Sequence, residues 1–294
     1  MTALSYCIDT VPKNFVEFLV EREFDVWLFD WRTSPELPAH EHQYSLDDVA
    51  RYDWPAVIKL VHGETGKAAS VLAHCLSAPT LFLALVRGYV PRDSVKAFVA
   101  SQVALHLNFT SLGERKVALH LDKLLPRRNM IHQIEGDAKF SIGDVAASFL
   151  SKVIPTSFKC DNSACYRHAA TFGEIIQHSR VDPETHKLMG PLVPRCIAAF
   201  LKDVAKQGRP DHILTDSDLQ NLDRLKLPIH FVSGRENRMF VPSGTEASYH
   251  MLCAANGPDL YRRTVYDGFG HLDFFIGKGA AEEIWGDLAA SLDR

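Results

Sequence analysis

One cysteine of the sequence stands where a nucleophile would be expected. It lies in the segment Ala73 to Ala78 (AHCLSA), between a β-rich run that ends at Leu72 and a helical pattern near Pro79. Small residues two positions before and after a reactive side chain are typical of a nucleophile elbow, the sharp strand-to-helix turn that lifts one side chain above a sheet. We predict that Cys75 occupies such a turn, although the glycines usual at the flanking positions are missing.

Two features of this segment bear on the chemistry of Cys75. A helix that follows the turn would point its amino end at the sulfur, which favours negative charge and lowers the pKa of a thiol. Ser77 is a weaker candidate nucleophile, because Pro79 would then occupy a position that requires a small residue. The alternative to a catalytic role is a packed thiol in an ordinary buried turn, since cysteine is among the most buried residue types.

A nucleophilic thiolate needs a base, and the base needs a group that orients it. His271 follows the last β-rich run and is preceded by Gly268 and Gly270, which place it on a loop rather than in a helix. The chain order, with the nucleophile first and the histidine last, is that of one class of Ser-His-Asp triads. We therefore predict that His271 is the base.

The orienting residue is expected after the run Pro228–Ser233. An acid would be expected at the third residue after Gly234, and Asn237 stands there. An asparagine can accept the imidazole N–H but supplies no negative charge, a deficit that matters less when thiolate and imidazolium stabilise each other. Glu236 is the second candidate, and the alternative for Asn237 is a turn residue that tolerates left-handed geometry.

The elements that position these residues alternate between strand and helix. Alternation at this spacing predicts a parallel sheet with right-handed crossovers. The predicted strands are Asp25–Asp30, Ala68–Leu72, Val95–Ala100, Pro228–Ser233 and Tyr261–Tyr266, and the predicted helices are Val11–Glu23, Ser45–Val61 and Thr80–Val86.

The chain divides into a core and an insertion. From residue 105 to residue 211 the pattern changes to amphipathic helical segments interrupted by prolines, and sheet-like alternation returns only afterwards. We predict a core in residues 1–104 that carries the elbow, a helical cap inserted at 105–211, and the rest of the core in 212–294 with the orienting residue and the histidine.

Composition excludes several classes of function. The 294 residues include 36 acidic and 32 basic side chains, and the net charge of −4 offers no basic surface for nucleic acid. The longest uncharged run, Ser70–Val86, is shorter than the roughly 20 apolar residues of a membrane-spanning helix. The first twelve residues carry none of the Lys or Arg residues that are typical of a secretory signal. Six cysteines are too few for a disulfide scaffold. We therefore expect a cytoplasmic location.

These residues together resemble the α/β-hydrolase superfamily over nearly the whole chain. The resemblance to the acid lipases rests on Asp25-Val-Trp27, Tyr52 to Ala56, and His271 to Phe274 with Gly277. A further set is more similar still to the hydrolase-like region C-terminal to cholesterol-oxidase-like GMC flavoproteins: Ala73 to Ser77, Ser101 to Val103, Cys160 to Cys165, His178, His186, Gly234-x-x-Asn237 and Gly270 to Asp273. The resemblance implies an α/β-hydrolase fold, with a mostly parallel sheet flanked by helices and a helical cap. The sequence departs from the family in that the family's N-terminal strands are expected to be missing.

The resemblance also implies a function. It points to a carboxylic ester or thioester hydrolase with Cys75 as nucleophile, acting on an apolar, lipid- or sterol-like small molecule. One oxyanion donor would be the N–H of Leu76 and the second would come from around Thr2 or Ala3, because the family's His-Gly oxyanion loop has no counterpart here, which would impair activity. The alternatives are acyl transfer by the same Cys-His pair and a non-catalytic scaffold for lipid or flavoprotein binding. No flavin or nicotinamide cofactor is expected, and a flavoprotein oxidoreductase is a candidate partner.

A group of cysteines and histidines in the cap could also be read as zinc ligands. Its members are Cys160, Cys165, His168, His178 and His186. The four-residue gap between the two cysteines is at the loose end of metal-site spacing, and no second cysteine pair follows. Buried thiols are therefore favoured, and no metal is predicted.

Overall fold

A computed structural model describes residues 2–32, 34, 37–42, 44–118, 165, 169, 173–174, 176–187 and 212–294. Most of the predicted cap, at 105–211, lies outside these residues, so the domain boundaries stay a prediction. Within the described part of the chain, no helix is both long and apolar enough to cross a membrane.

A four-stranded parallel sheet forms the centre of the structure, with the strands in chain order. The strands are β1 Ala69–His74, β2 Val95–Ser101, β3 Ile229–Gly234 and β4 Tyr261–Tyr266. In register, His74 pairs with Ser101, Ser101 with Val232, and Val232 with Thr264. Because the carboxyl ends of parallel strands share one edge, the residues that follow β1, β2 and β3 come together there. The predicted parallel sheet flanked by helices is confirmed.

Helices connect the strands and cover the sheet. Those in the described residues are α1 Phe15–Val20, α2 Leu46–Asp48, α3 Trp54–Thr65, α4 Ser77–Val86, α5 Ser111–Ala118, α6 Pro183–Lys187, α7 Asp216–Leu219, α8 Ser243–Asn256, α9 Asp273–Ile276 and α10 Gly286–Leu292. A π-helical turn, Val49–Asp53, joins α2 to α3. Every residue of α4 from Ala78 to Val86 is buried, so this helix lies at the centre of the core.

Capping residues determine where the first helices begin. Ser45 accepts the N–H of Asp48, whose carboxylate accepts the N–H of Ser45 in return, and the predicted start at Ser45 is confirmed. Asn14 and Glu17 form the same reciprocal box. This box starts α1 at Phe15, so the helix predicted for Val11–Glu23 is shorter than expected.

The strand predicted for Asp25–Asp30 is wrong. Residues 24–31 form no regular element, and the side chains of Trp27 and Leu28 are 42% and 45% exposed rather than buried. A strand needs a neighbour to receive its ladder hydrogen bonds, and no described strand pairs with this segment. An apolar run in a sequence does not disclose whether such a neighbour exists.

A group of aromatic rings attaches α1 and α9 to the core. The ring of Phe15 lies 5.4 Å from that of Phe275 and 5.4 Å from that of Trp285. Phe275 also makes an edge contact with His74 at 5.1 Å. These contacts place the start of the chain and its C-terminal helices against the end of β1.

Candidate active site

The segment around Cys75 has the backbone of a sharp strand-to-helix turn. β1 ends at His74, α4 begins at Ser77, and Cys75 between them has a φ of 56°, in the left-handed region. The N–H of Cys75 donates to the carbonyl of Ser101 over 3.0 Å, and Ser77 Oγ donates to the carbonyl of His74 over 2.5 Å. A non-glycine residue in this conformation costs on the order of 1–3 kcal/mol, and such strain clusters at functional sites.

The electrostatics of Cys75 differ from the expectation. The side chain is half-buried, and burial raises its pKa to about 11, although a hydrogen bond from the N–H of Leu76 opposes the rise. The lowered pKa that we predicted from the amino end of α4 is wrong, because the loss of hydration outweighs the helix. At neutral pH the residue is a thiol, so its proton must be removed when the sulfur attacks.

His271 is held by Asn237, the residue expected to orient it. His271 is only 1% exposed, and its Nδ1 lies 3.1 Å from Nδ2 of Asn237. Its ring lies 4.7 Å from that of His74, the residue next to Cys75, and 5.9 Å from that of Phe240. The structure thus brings the predicted base and orienter together beside the end of β1.

Four hydrogen bonds determine which end of the Asn237 amide faces His271. Oδ1 of Asn237 accepts the backbone N–H of Met239 at 3.0 Å and of Phe240 at 3.1 Å. Nδ2 donates to Oε1 of Gln102 at 2.9 Å, and that oxygen in turn accepts the backbone N–H of Gly234 at 3.1 Å. A flipped amide would set its N–H groups against two backbone N–H groups. Nδ2 is therefore the atom that faces the imidazole.

This orientation of the Asn237 amide determines which ring nitrogen of His271 carries the proton. An amide NH₂ group can only donate, so Nδ1 of His271 accepts and the proton of the neutral ring lies on Nε2. In a Ser-His-Asp triad the base takes the proton of the nucleophile at Nε2, so a base of that kind needs the other tautomer, with Nε2 unprotonated. The hydrogen bond between Asn237 and His271 thus runs opposite to the one expected from the sequence.

Gln102 is a functional candidate to which the sequence alone assigned no role. It follows β2 directly, is fully buried and has a φ of 76°. Since His74 and Ser101 are partners in register, Gln102 and Cys75 follow them side by side at the sheet edge. A polar residue directly after a buried strand was the available signal, but only the fold shows that it bonds Asn237.

Asp273 anchors the loop that carries His271. Its carboxylate accepts the backbone N–H of Gly270 at 2.7 Å and of Gln177 at 3.0 Å. The carboxyl is fully buried, and burial raises its pKa to about 6, although these N–H donors oppose the rise. The loop is therefore held by a buried acid. In the described part of the chain, no hydrogen bond joins this carboxylate to the imidazole of His271.

Glu236, the second candidate for orienting His271, contributes through its backbone. Its N–H donates to the carbonyl of Phe269 over 2.9 Å, and its side chain is half-buried. In the described part of the chain no hydrogen bond or ion pair joins its carboxylate to His271. A Cβ on Gly234 would lie 2.1 Å from the same Phe269 carbonyl, so only glycine lets the loop approach the end of β3 this closely.

The two predicted oxyanion donors lie on different segments of the chain. The N–H of Leu76 bonds the sulfur of Cys75. Thr2 directly precedes a 3₁₀ turn that begins at Ala3, and the N–H of Ala3 is already engaged, because it donates to Asp30 Oδ1 at 2.9 Å. Neither the role of Leu76 nor that of Thr2 is tested by this geometry, and both stay predictions.

The sequence alone did not single out Tyr6 and His74. Burial and the negative charge that Cys75 carries when ionised both raise the pKa of Tyr6. His74 is buried, and burial together with the neighbouring His271 lowers its pKa well below the ordinary range. Its Nδ1 lies 3.0 Å from Ser101 Oγ. Both groups are therefore uncharged at neutral pH.

A separate group could hold a metal ion. Cys165, His178 and His186 bring one ligand atom each to within 4.8 Å of one another. Cys160 and His168, the other two residues of the sequence-based zinc reading, lie outside the described residues.

Comparison with known proteins identifies the type of fold. No family model matches the chain. Human lipase member K is 23% identical over an alignment that covers 100% of this chain and 77% of that protein, and the mouse protein of the same name is 20% identical over 98% and 76%. The crystal structure of a Paleococcus ferrophilus monoacylglycerol lipase covers 95% of this chain and 86% of its own, with 17% identity and a TM-score of 0.52. The parallel sheet, the turn at Cys75 and this likeness together identify the chain as a protein of the α/β-hydrolase fold.

Proposed function

We propose that the chain is a lipase-like acyl hydrolase in which Cys75 is the nucleophile. The observation that carries the proposal is the left-handed turn at Cys75, which follows a buried strand and precedes a buried helix. The relatives named as lipases support ester hydrolysis as the class of reaction. The ring of Phe240 beside His271 favours an apolar acyl group as the substrate.

The proposed reaction has two steps. In the first, Sγ of Cys75 bonds to the acyl carbon, the C–O or C–S bond of the substrate breaks, and the leaving atom receives the thiol proton by way of His271. In the second, water adds to the acyl-cysteine, its proton returns to the sulfur through His271, and the carboxylic acid is released. The N–H of Leu76 and a second donor from around Thr2 are the proposed donors to the oxyanion of both steps.

The resting hydrogen bonds slow this reaction. Before His271 can take the thiol proton at Nε2, its own proton must move to Nδ1, where it meets the N–H of Asn237. A catalytic histidine held in the wrong tautomer loses about 10⁴ in kcat. We therefore expect turnover far below that of a hydrolase with an acid at position 237.

A second candidate function is a lipid-binding scaffold without catalysis. The observation that favours it is the same Asn237 amide, which Gln102 and two backbone N–H groups hold in the orientation unsuited to a base. In this case an apolar acid or ester would bind near Cys75 without reacting.

Acylation of the protein by p-nitrophenyl butyrate and octanoate separates the two functions. Hydrolysis predicts slow nitrophenol release and an acyl adduct on the peptide that contains Cys75, found by mass spectrometry. Both are lost in Cys75→Ala and kept in Cys253→Ala, a matched variant of another half-buried cysteine. Saturable binding of octanoate with no adduct supports the scaffold, and equal turnover in Cys75→Ala overturns the assignment of the nucleophile.

A further inference from the structure

A thiol and two imidazoles converge away from Cys75, on a segment that the proposed reaction does not use. One ligand atom from each of Cys165, His178 and His186 lies within 4.8 Å of the other two. Cys165 is buried and both histidines are half-buried. We propose that these three residues bind a zinc ion, which reverses the sequence-based expectation of buried thiols alone.

The donor set suits zinc. Cysteine sulfur and histidine nitrogen are its usual ligands, at about 2.3 and 2.0–2.1 Å, and three protein ligands leave the fourth tetrahedral position for water. Burial lowers the pKa of His178 and of His186, so both rings are neutral and able to bind a cation at neutral pH.

One pair of the proposed ligands requires only a small change. Cys165 Sγ and His186 Nε2 are 2.8 Å apart, as a hydrogen-bonded pair. Around a tetrahedral zinc the same two atoms are roughly 3.5 Å apart, from the bond lengths of such sites. Binding therefore replaces one hydrogen bond with two metal bonds, and the thiol proton is released to solvent.

The proposed ion would stabilise the anchor of the His271 loop. Gln177, next to His178, donates its N–H to the carboxylate of Asp273, which in turn holds the N–H of Gly270. At the other end of the segment, Thr185 Oγ1 lies 2.8 Å from Thr10 Oγ1. Zinc would join Cys165 to His186, 21 positions further along the chain, and would thereby hold this segment in place.

Cobalt substitution tests the site directly, in a Cys75→Ala background that removes the other thiol-imidazole region. We expect one Co²⁺ per chain, tetrahedral d–d bands and a thiolate-to-metal charge-transfer band. Zn²⁺ should displace the cobalt and raise the thermal unfolding midpoint. Cys165→Ser should lose the charge-transfer band, and His186→Gln should weaken binding at least about tenfold.

Matched controls are Cys253→Ser and His250→Ala, which lie on α8 and should leave the spectrum unchanged. The proposal is overturned by non-saturable Co²⁺ binding, by a charge-transfer band that survives Cys165→Ser, or by a band lost in Cys253→Ser. Circular dichroism of each variant separates loss of ligand from loss of fold, and His186→Gln tests the site if Cys165→Ser does not fold. None of these readouts depends on hydrolysis.

Discussion

Asn237→Asp should change Nδ1 of His271 from a hydrogen-bond acceptor into a donor, so that the ring can act as a base at Nε2. The substitution replaces Nδ2 by an oxygen that accepts the Nδ1 proton of His271, which leaves Nε2 free to take the proton of Cys75. The wrong tautomer costs about 10⁴ in kcat, or about 5 kcal/mol at 1.36 kcal/mol per factor of ten. This is the upper limit of the gain.

Gln102 reduces that gain. Its Oε1 lies 2.9 Å from the atom that becomes a carboxylate oxygen, so the two would repel. Rotation of the Gln102 amide relieves the repulsion but leaves the buried N–H of Gly234 without its acceptor, which costs about 1–3 kcal/mol. We therefore expect kcat to rise on the order of 10²–10³.

The assay combines ester hydrolysis with ¹⁵N NMR of the histidine rings. In the wild type, the His271 resonances should report a proton on Nε2, and in Asn237→Asp a proton on Nδ1. Asn108→Asp, at an amide that bonds Ser243 rather than a histidine, is the matched control and should leave kcat unchanged. A wild-type ring with its proton on Nδ1, or a folded Asn237→Asp no faster than the wild type, would refute the reasoning.

Three further outcomes follow from the same contacts. Cys75→Gly should be more stable to urea than Cys75→Ala by about 1 kcal/mol, because glycine adopts the left-handed turn without strain, and equal stabilities would contradict that strain. The rate of alkylation of Cys75 by iodoacetamide, measured in a Cys253→Ala background, should rise about tenfold per pH unit from pH 7 to pH 10, because the pKa of the thiol is about 11 and only the thiolate reacts. A rate that reaches a plateau below pH 9 would contradict the raised pKa. Folding raises the pKa of Asp273 from 3.8 to about 6, so its contribution to the unfolding free energy is complete below pH 4 and is lost as the pH rises through 6, a change of about 3 kcal/mol. In Asp273→Asn the unfolding free energy should lack this decrease between pH 4 and pH 6. An unchanged decrease in the variant would assign it to other groups.

Local signals in the sequence were sufficient for most of the elements. The strand Tyr261–Tyr266 and the cap at Ser45 were predictable because they depend on alternation and on residues three positions apart. The segment Asp25–Asp30 was not, because an apolar run becomes a strand only beside a partner strand. Its outcome depends on residues distant in sequence.

The residues of the site also divide into those that local patterns indicate and those that they do not. Residue types and chain order were sufficient to single out Cys75, Asn237 and His271, because a turn of small residues and a glycine-flanked histidine are local patterns. The direction of the hydrogen bond between Asn237 and His271 was not predictable. It depends on Gln102, which is 135 residues away from Asn237 and reaches it only through the parallel pairing of β2 with β3.

Cys75 and Gln102, the two left-handed residues that follow β1 and β2, hold a sulfur and an amide where glycine would relax the backbone. Replacing either by glycine would therefore exchange a functional group for an unstrained main chain, and a screen for heat resistance alone would favour that exchange.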